Sequence, residues 1–266
     1  MKSNKNGIHI RNKWNGKQVT ILFLHGLGST GDTFVPLMES LSGSVDVVAV
    51  DLPGHGQSKP LEVHTIEAWV KWLDGLVANF EWERLHLAGH SIGADLIVQY
   101  ALHFPEKVDS LLLLDGGYLT GEAFGQSVEE EVRQTEEHCE GFVFSSWKEF
   151  LEMPGAESMK AAMHESGGKV RLKVDVETAK GLTRELSNEP SDKTLQKWSV
   201  PSLLLRATEP VEIESIRTKQ ADRLKNGSPV QVCEIEQAAH DVYLDQKDLV
   251  AYEILKWITR INEGTA

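Results

Sequence analysis

The stretch Leu85-His86-Leu87-Ala88-Gly89-His90-Ser91-Ile92-Gly93-Ala94-Asp95-Leu96 decides how this chain is read. Four residues with buried-strand character run into Gly89-His90-Ser91-Ile92-Gly93, and a helical pattern continues to residue 104, where Pro105 stops it. A G-x-S-x-G alone is weak evidence. With 22 glycines in 266 residues it falls by chance in roughly one such chain in eight. The setting gives it weight: a strand leading in, a tight turn and a helix leading out form a nucleophile elbow, which exposes the serine hydroxyl from a strained backbone. Ser91 is therefore the candidate nucleophile. Gly89 and Gly93 stand where a Cβ would strike the neighbouring strand or helix, and the helix N-terminus adds positive potential at the reacting centre.

The same alternation extends in both directions. Continuous apolar runs at residues 21–24, 45–50, 111–114, 202–205 and 230–235 predict strands covered on both faces, hence a mostly parallel sheet. Helical patterns at 33–41, 66–80, 92–104, 216–224 and 244–261 lie between them, which implies right-handed crossovers and an α/β fold. Near the start, residues 8–11 and 18–24 flank Asn15-Gly16, a signal for a hairpin joining the two strands. One stretch breaks the rhythm. Residues 118–190 carry helix signals and no convincing strand: Ser127 with Glu130 and Ser146 with Glu149 have capping-box spacing, residues 176–187 are helical, and Pro154-Gly155 and Gly167-Gly168 interrupt. This predicts a core of residues 1–117 and 191–266 with a helical cap, residues 118–190, inserted between two strands. The cap's Phe124, Phe142, Phe144, Trp147, Met153, Met159 and Met163 either pack onto the core or line a pocket for an apolar substrate.

Two further motifs complete the chemistry. His25-Gly26-Leu27-Gly28 directly follows an apolar strand, and a Gly-rich turn there lets a backbone N–H face the serine. The amides of Leu27 and Ile92 are the candidate oxyanion hole, where losing one donor typically costs on the order of 10²–10³ in rate. His25 itself is read as a structural, hydrogen-bonded histidine. A serine hydroxyl also needs a positioned base at neutral pH. His240, in the loop Ala238-Ala239-His240-Asp241 after the last strand, occupies that place, whereas of the other histidines His90 falls within the elbow, His55 in a Gly-rich loop, and the rest in strands, in helices or in the cap.

Composition narrows the classes. Hydrophobic residues make up 41% and charged residues 25%, within the ordinary globular range. The 27 Lys and Arg against 40 Asp and Glu give a net charge of −13, which disfavours nucleic acid and anionic membrane surfaces as partners. The apolar runs are far shorter than the ~20 residues of a membrane span. The basic first residues precede no apolar stretch, so no secretory signal is expected and a cytoplasmic location is. Cys139 and Cys233 lack metal-ligand spacing and are read as reduced thiols; no phosphate loop or ligand cluster calls for a metal, nucleotide or flavin cofactor.

Taken with their order, His25-Gly26, Asp51-Leu52-Pro53-Gly54-His55-Gly56-Gln57-Ser58, the Gly89–Gly93 elbow and the stretch from Ala238 to Gln246 make the chain resemble the α/β-hydrolase superfamily, in its compact form with a helical cap. The resemblance implies an eight-stranded sheet with the site at its C-terminal edge under the cap, and Ser91 and His240 as two members of a triad. The loop of residues 51–58 is implied to be structural. The third member departs from the pattern. Relatives usually carry an aspartate after the seventh strand; here Arg206-Ala207-Thr208-Glu209-Pro210-Val211-Glu212 puts Val211 at that position, flanked by Glu209 and Glu212. A minority of the superfamily takes its acid from the end of the sixth strand, where this chain has Asp115. Asp115, with Glu209 or Glu212 as alternatives, must accept from the histidine Nδ1–H and fix its tautomer. The expected activity is carboxylesterase-like: a small, apolar ester, lactone or thioester cleaved through an acyl-enzyme without a cofactor. The same fold also serves cofactor-free peroxidases, C–C hydrolases, lyases and low-turnover ligand-binding proteins.

Overall fold

In the computed structural model, which describes residues 2–5 and 7–265, the apolar runs become strands that end along one edge. In chain order, β1 (Lys2–Lys5), β2 (Ile8–Lys13), β3 (Val19–Leu24), β4 (Asp46–Val50), β5 (Arg84–His90) and β6 (Ser110–Leu114) come before an inserted segment holding β7 (Val143–Phe144), β8 (Met163–Ser166) and β9 (Lys169–Leu172). The chain then returns with β10 (Ser202–Ala207) and β11 (Val230–Ile235). The main sheet has the order β1-β2-β4-β3-β5-β6-β10-β11, parallel from β4 onward and antiparallel at β1 and β2. Its middle strands are buried on both faces, as their largely apolar sequence demands.

Helices cover both faces. On one side α2 (Ile66–Val77) and α3 (Ile92–His103) bury Trp69, Leu73, Ile97 and Tyr100 against Leu22, Leu87 and Leu111. On the other, α1 (Val35–Leu41) and the C-terminal α11 (Lys247–Glu263) bury Leu37, Leu41, Ile254 and Trp257 against Phe23, Ala88 and Leu112. The inserted segment carries α4 (Val128–Gly141), α5 (Trp147–Leu151), α6 (Ala156–Met159) and α7 (Val176–Leu186); α8 (Asp192–Lys197) leads back, and α9 (Glu214–Gly227) and α10 (Val242–Asp245) follow β10 and β11. Among the described residues no helix is long and apolar enough to cross a membrane.

Two expectations are corrected. Asn15-Gly16 does not close a hairpin: β2 pairs with β1 and β4, and β4 lies between β2 and β3. The amides of Asn15 and Lys17 donate to the Asp46 carboxylate at 2.6 and 3.1 Å, so this turn is anchored to the start of β4 while the chain crosses over it. β3, apolar on both faces, takes a central place instead. The inserted segment is also not wholly helical, because β7, β9 and β8 form a three-stranded antiparallel sheet. Gly167 and Gly168 both adopt positive φ, 59° and 70°, and close a two-residue hairpin between Ser166 and Lys169 rather than merely breaking a helix. The capping box at Ser127 and Glu130 is complete, whereas Ser146 caps α5 but Glu149 turns back to Ser145.

Candidate active site

The C-terminal edge is where the loops after β3, β5, β6, β10 and β11 meet. Gly89 pairs with Leu24 on one side and Leu113 on the other, so the chain leaves β5 at the middle of the sheet. Ser91 follows with φ 52° and ψ −130°, a conformation that costs about 1–3 kcal/mol and places the side chain on a sharp strand-to-helix turn. The glycines around it are fixed by close approach. A Cβ on Gly89 would lie 2.5 Å from Ala94 N, and one on Gly93 2.5 Å from Leu24 O. Gly116, which sequence reasoning passed over, is as tight: its Cβ would sit 2.3 Å from Ser91 O.

Asp115 is the second non-glycine residue of the site with positive φ, at 45°. Its Oδ2 accepts from His240 Nδ1 at 2.8 Å, while Oδ1 accepts from Tyr118 Oη at 2.8 Å and Ala207 N at 2.9 Å. Arg217, itself buried, stands 3.7 Å behind Oδ2. Burial of Asp115 opposes ionisation, but the bonds from His240, Ala207 and Tyr118 outweigh it and hold the carboxyl below the usual carboxylate range. Glu209 and Glu212 are both exposed. Of the three carboxylates read from the sequence, Asp115 is the one hydrogen-bonded to His240.

His240 is held from a second direction. His90 Nε2 donates to the His240 carbonyl at 3.0 Å, with the ring centroids 4.6 Å apart. Burial keeps His90 neutral, its pKa well below the ordinary value. His25 is fully buried and its pKa is lowered to about 3, mainly by burial. Its Nδ1 donates to Gly26 O at 2.8 Å and its Nε2 accepts from Leu52 N at 2.9 Å, a structural role. In the loop beyond β4, Asp51 accepts from Arg11, Gly31 and Gln57 and fixes the floor of this edge.

With Nδ1 committed to Asp115, His240 Nε2 is the ring nitrogen left for the cleft. Among the described residues Ser91 Oγ makes no hydrogen bond to it, a contact that in many resting enzymes closes only around substrate. Ser91, His240, Leu27 and His138 all line both of two adjoining cavities of about 530 and 380 Å³, so the serine stands at their junction. Leu27 and Ile92, the expected oxyanion donors, both line the larger one. Gly26 packs against the elbow, a Cβ there falling 3.1 Å from Ser91 Cβ.

The inserted segment roofs the larger cavity with Phe124 and with residues of α4 and α7, including Glu131, His138 and Thr183. Of the other aromatic and methionine residues named from the sequence, Met159 reaches the smaller cavity. Phe142, Phe144, Trp147, Met153, Met159 and Met163 pack around Phe150 in the cap's own core. Tyr118, Arg217 and Asp95 had no local signal, since each matters only through residues far away in sequence. Among the described residues no group of three or more His, Cys, Asp or Glu side chains is arranged to hold a metal.

Comparisons with known proteins agree with this architecture. The family described as alpha/beta hydrolase fold matches residues 19–143. An uncharacterized protein of Mycobacterium tuberculosis is 35% identical over 106 residues, 40% of this chain and 31% of that protein. A probable serine hydrolase of Drosophila melanogaster is 32% identical over 109 residues, 39% of this chain and 33% of that protein. The chain thus spans about a third of the length of these curated relatives. A crystal structure of E-2-(acetamidomethylene)succinate hydrolase superposes with a TM-score of 0.75 at 22% identity, over 95% of both chains.

Proposed function

We propose that this chain, whose residues 19–143 match the family described as alpha/beta hydrolase fold and whose fold superposes on solved hydrolases, is a serine hydrolase that cleaves a small carboxylic ester, or a related lactone or thioester, through an acyl-enzyme. The observation that carries this reading is the 2.8 Å bond from His240 Nδ1 to the buried Asp115, which turns Nε2 toward the cleft beside a strained Ser91. His240 Nε2 takes the Ser91 hydroxyl proton as Oγ bonds to the carbonyl carbon, and the carbonyl electron pair moves onto oxygen. The Leu27 and Ile92 amides are the donors assigned to that oxygen. The pair returns as the bond to the leaving group breaks, and the leaving oxygen or sulfur takes the proton from His240. Water, deprotonated by the same nitrogen, then attacks the acyl carbon, and as the bond to Ser91 Oγ breaks His240 returns the proton to that oxygen, releasing the acid and free Ser91. Asp115 stays ionised throughout and stabilises the imidazolium.

A panel of chromogenic esters of graded acyl length, run against wild type and Ser91→Ala, tests the reading. Turnover by wild type that is lost in Ser91→Ala, with a fluorophosphonate probe attached at Ser91, is the expected result. Equal rates from the two proteins would overturn it.

A further inference from the structure

Asp95 lies in the first turn of α3, four residues beyond the N-cap Ser91. It lines the larger cavity beside the serine, and its Oδ1 is buried without a hydrogen-bond partner. Glu131 of α4 faces the same space, its Oε1 filling the room beside Gly121, where a Cβ would lie 1.4 Å away. Phe124 adds a ring at the wall. Among the described residues, no lysine or arginine lines either cavity that meets Ser91.

We infer, on the basis of the hydrolase reading above, that the larger cavity binds the acyl portion of substrates bearing an ammonium group, with Asp95 and Glu131 as its recognition pair, and that it rejects carboxylate-bearing acyl groups. A neutral polar acyl group would be served by Gln126, Gln134 and Thr135, which also line the cavity. Two neighbouring carboxyl groups at the wall of one cavity are relieved either by protonation or by a bound cation, and an aromatic face beside them suits an alkylated ammonium. Burial raises the carboxyls of both Asp95 and Glu131, and Glu189 and Glu131 add repulsion at Asp95; the backbone amides of Asp95 and Gly117 oppose the rise at Asp95 and the Ser187 hydroxyl opposes it at Glu131, and a bound cation would relieve what remains. An anionic acyl group meets the same field with the opposite sign. A dicarboxylate substrate such as the one named for the succinate hydrolase of similar fold therefore does not suit this cavity.

The test uses three p-nitrophenyl esters matched in shape: 4-(trimethylammonio)butyrate, its carbon isostere 5,5-dimethylhexanoate, and the anionic monoester of glutarate. Wild type is expected to show kcat/KM at least about tenfold higher for the cationic ester than for the neutral one, with the anionic ester lowest. Asp95→Asn is expected to bring the cationic-to-neutral ratio toward one, and Glu131→Gln to lower it by less. Calorimetric binding of the same esters to Ser91→Ala reads charge preference without turnover. Preference for the cation in binding but no Ser91-dependent turnover would leave this inference standing and sink the hydrolase reading. Ser91-dependent turnover with equal or anion-favouring ratios, or an unchanged ratio in folded Asp95→Asn, would overturn the inference alone.

Discussion

Replacing Asp115 separates the two jobs its carboxylate does. In Asp115→Asn the amide oxygen keeps the bonds from Tyr118 Oη and Ala207 N, 2.8 and 2.9 Å in the wild type. The amide NH₂ then faces His240 Nδ1, which must accept instead of donate. That moves the imidazole proton to Nε2, where it blocks removal of the Ser91 proton. A tautomer error of this kind costs about 10⁴ in kcat. Loss of the negative charge near Arg217 costs about 1 kcal/mol, a fall of roughly 2–4 °C in Tm. Asp115→Ala is a different perturbation. It leaves Tyr118 and Ala207 unpaired and Arg217 buried without its counter-charge, which destabilises by about 3–5 kcal/mol. Steady-state kcat on a chromogenic ester and thermal midpoints for both variants check the pair of effects. The reasoning fails if Asp115→Asn folds and turns over within about tenfold of wild type, or if Glu209→Ala abolishes activity that Asp115→Asn retains.

Three further outcomes follow from the packing and the buried charges. Gly116→Ala, whose Cβ would meet Ser91 O, N and Cα at 2.3–2.7 Å, must shift the elbow; it is expected to lower kcat far more than KM, and fluorophosphonate labelling at the wild-type rate would contradict this. His25, lowered to about 3, and His86, lowered to about 4, are held neutral mainly by burial, as are His55 and His90. Their unfolded counterparts take up protons near pH 6.5 and the folded ones do not. Stability is therefore intact above about pH 6.5 and falls as the pH descends toward 4; a urea midpoint that is flat from pH 7 to 5 would refute it. Asp95 has the opposite sign. Its raised pKa means that the folded state holds a proton which the unfolded state releases above about pH 4. Asp95→Asn is accordingly expected to gain stability relative to wild type as pH rises from 4 to 8, and a difference independent of pH would show that the carboxyl ionises freely.

The parts of the fold legible in the sequence were those set by local pattern. Apolar runs covered on both faces gave the parallel strands, and G-x-S-x-G between a strand and a helix located Ser91. The errors came where pairing partners are distant. Nothing within residues 8–24 tells that Asp46 will capture the amides of Asn15 and Lys17 and place β4 between the two strands. In the cap, β9 does alternate, with Val170 and Leu172 buried and Lys169 and Arg171 exposed, but four residues are too few to outweigh the helical signals on either side. In the sequence alone Asp95 is one more polar residue in a helical stretch. Its significance lies in Glu131, 36 positions away, and in the cavity between them.

The acid shows why chain order and spatial order part company. β6 and β10 are adjacent and parallel, and Leu114, the last residue of β6, pairs with Leu205, two residues before β10 ends at Ala207 on the same edge. Asp115 N donates to Leu205 O at 2.9 Å, and Ala207 N returns a bond to Asp115 Oδ1. The carboxylate that leaves β6 is thereby carried over the end of β10, beside the position that an acid after β10 would itself supply. A histidine on the loop after β11, the next strand over, meets the carboxylate from the far side. Exchange of the acid between these two strand ends thus requires no change in the sheet, only a backbone at residue 115 that accepts positive φ and a neighbouring strand with an amide free to donate. The requirement is specific to the edge shared by β6 and β10, because a carboxylate at the end of β3 or β4 would have Ser91 and the strand beneath it between itself and His240.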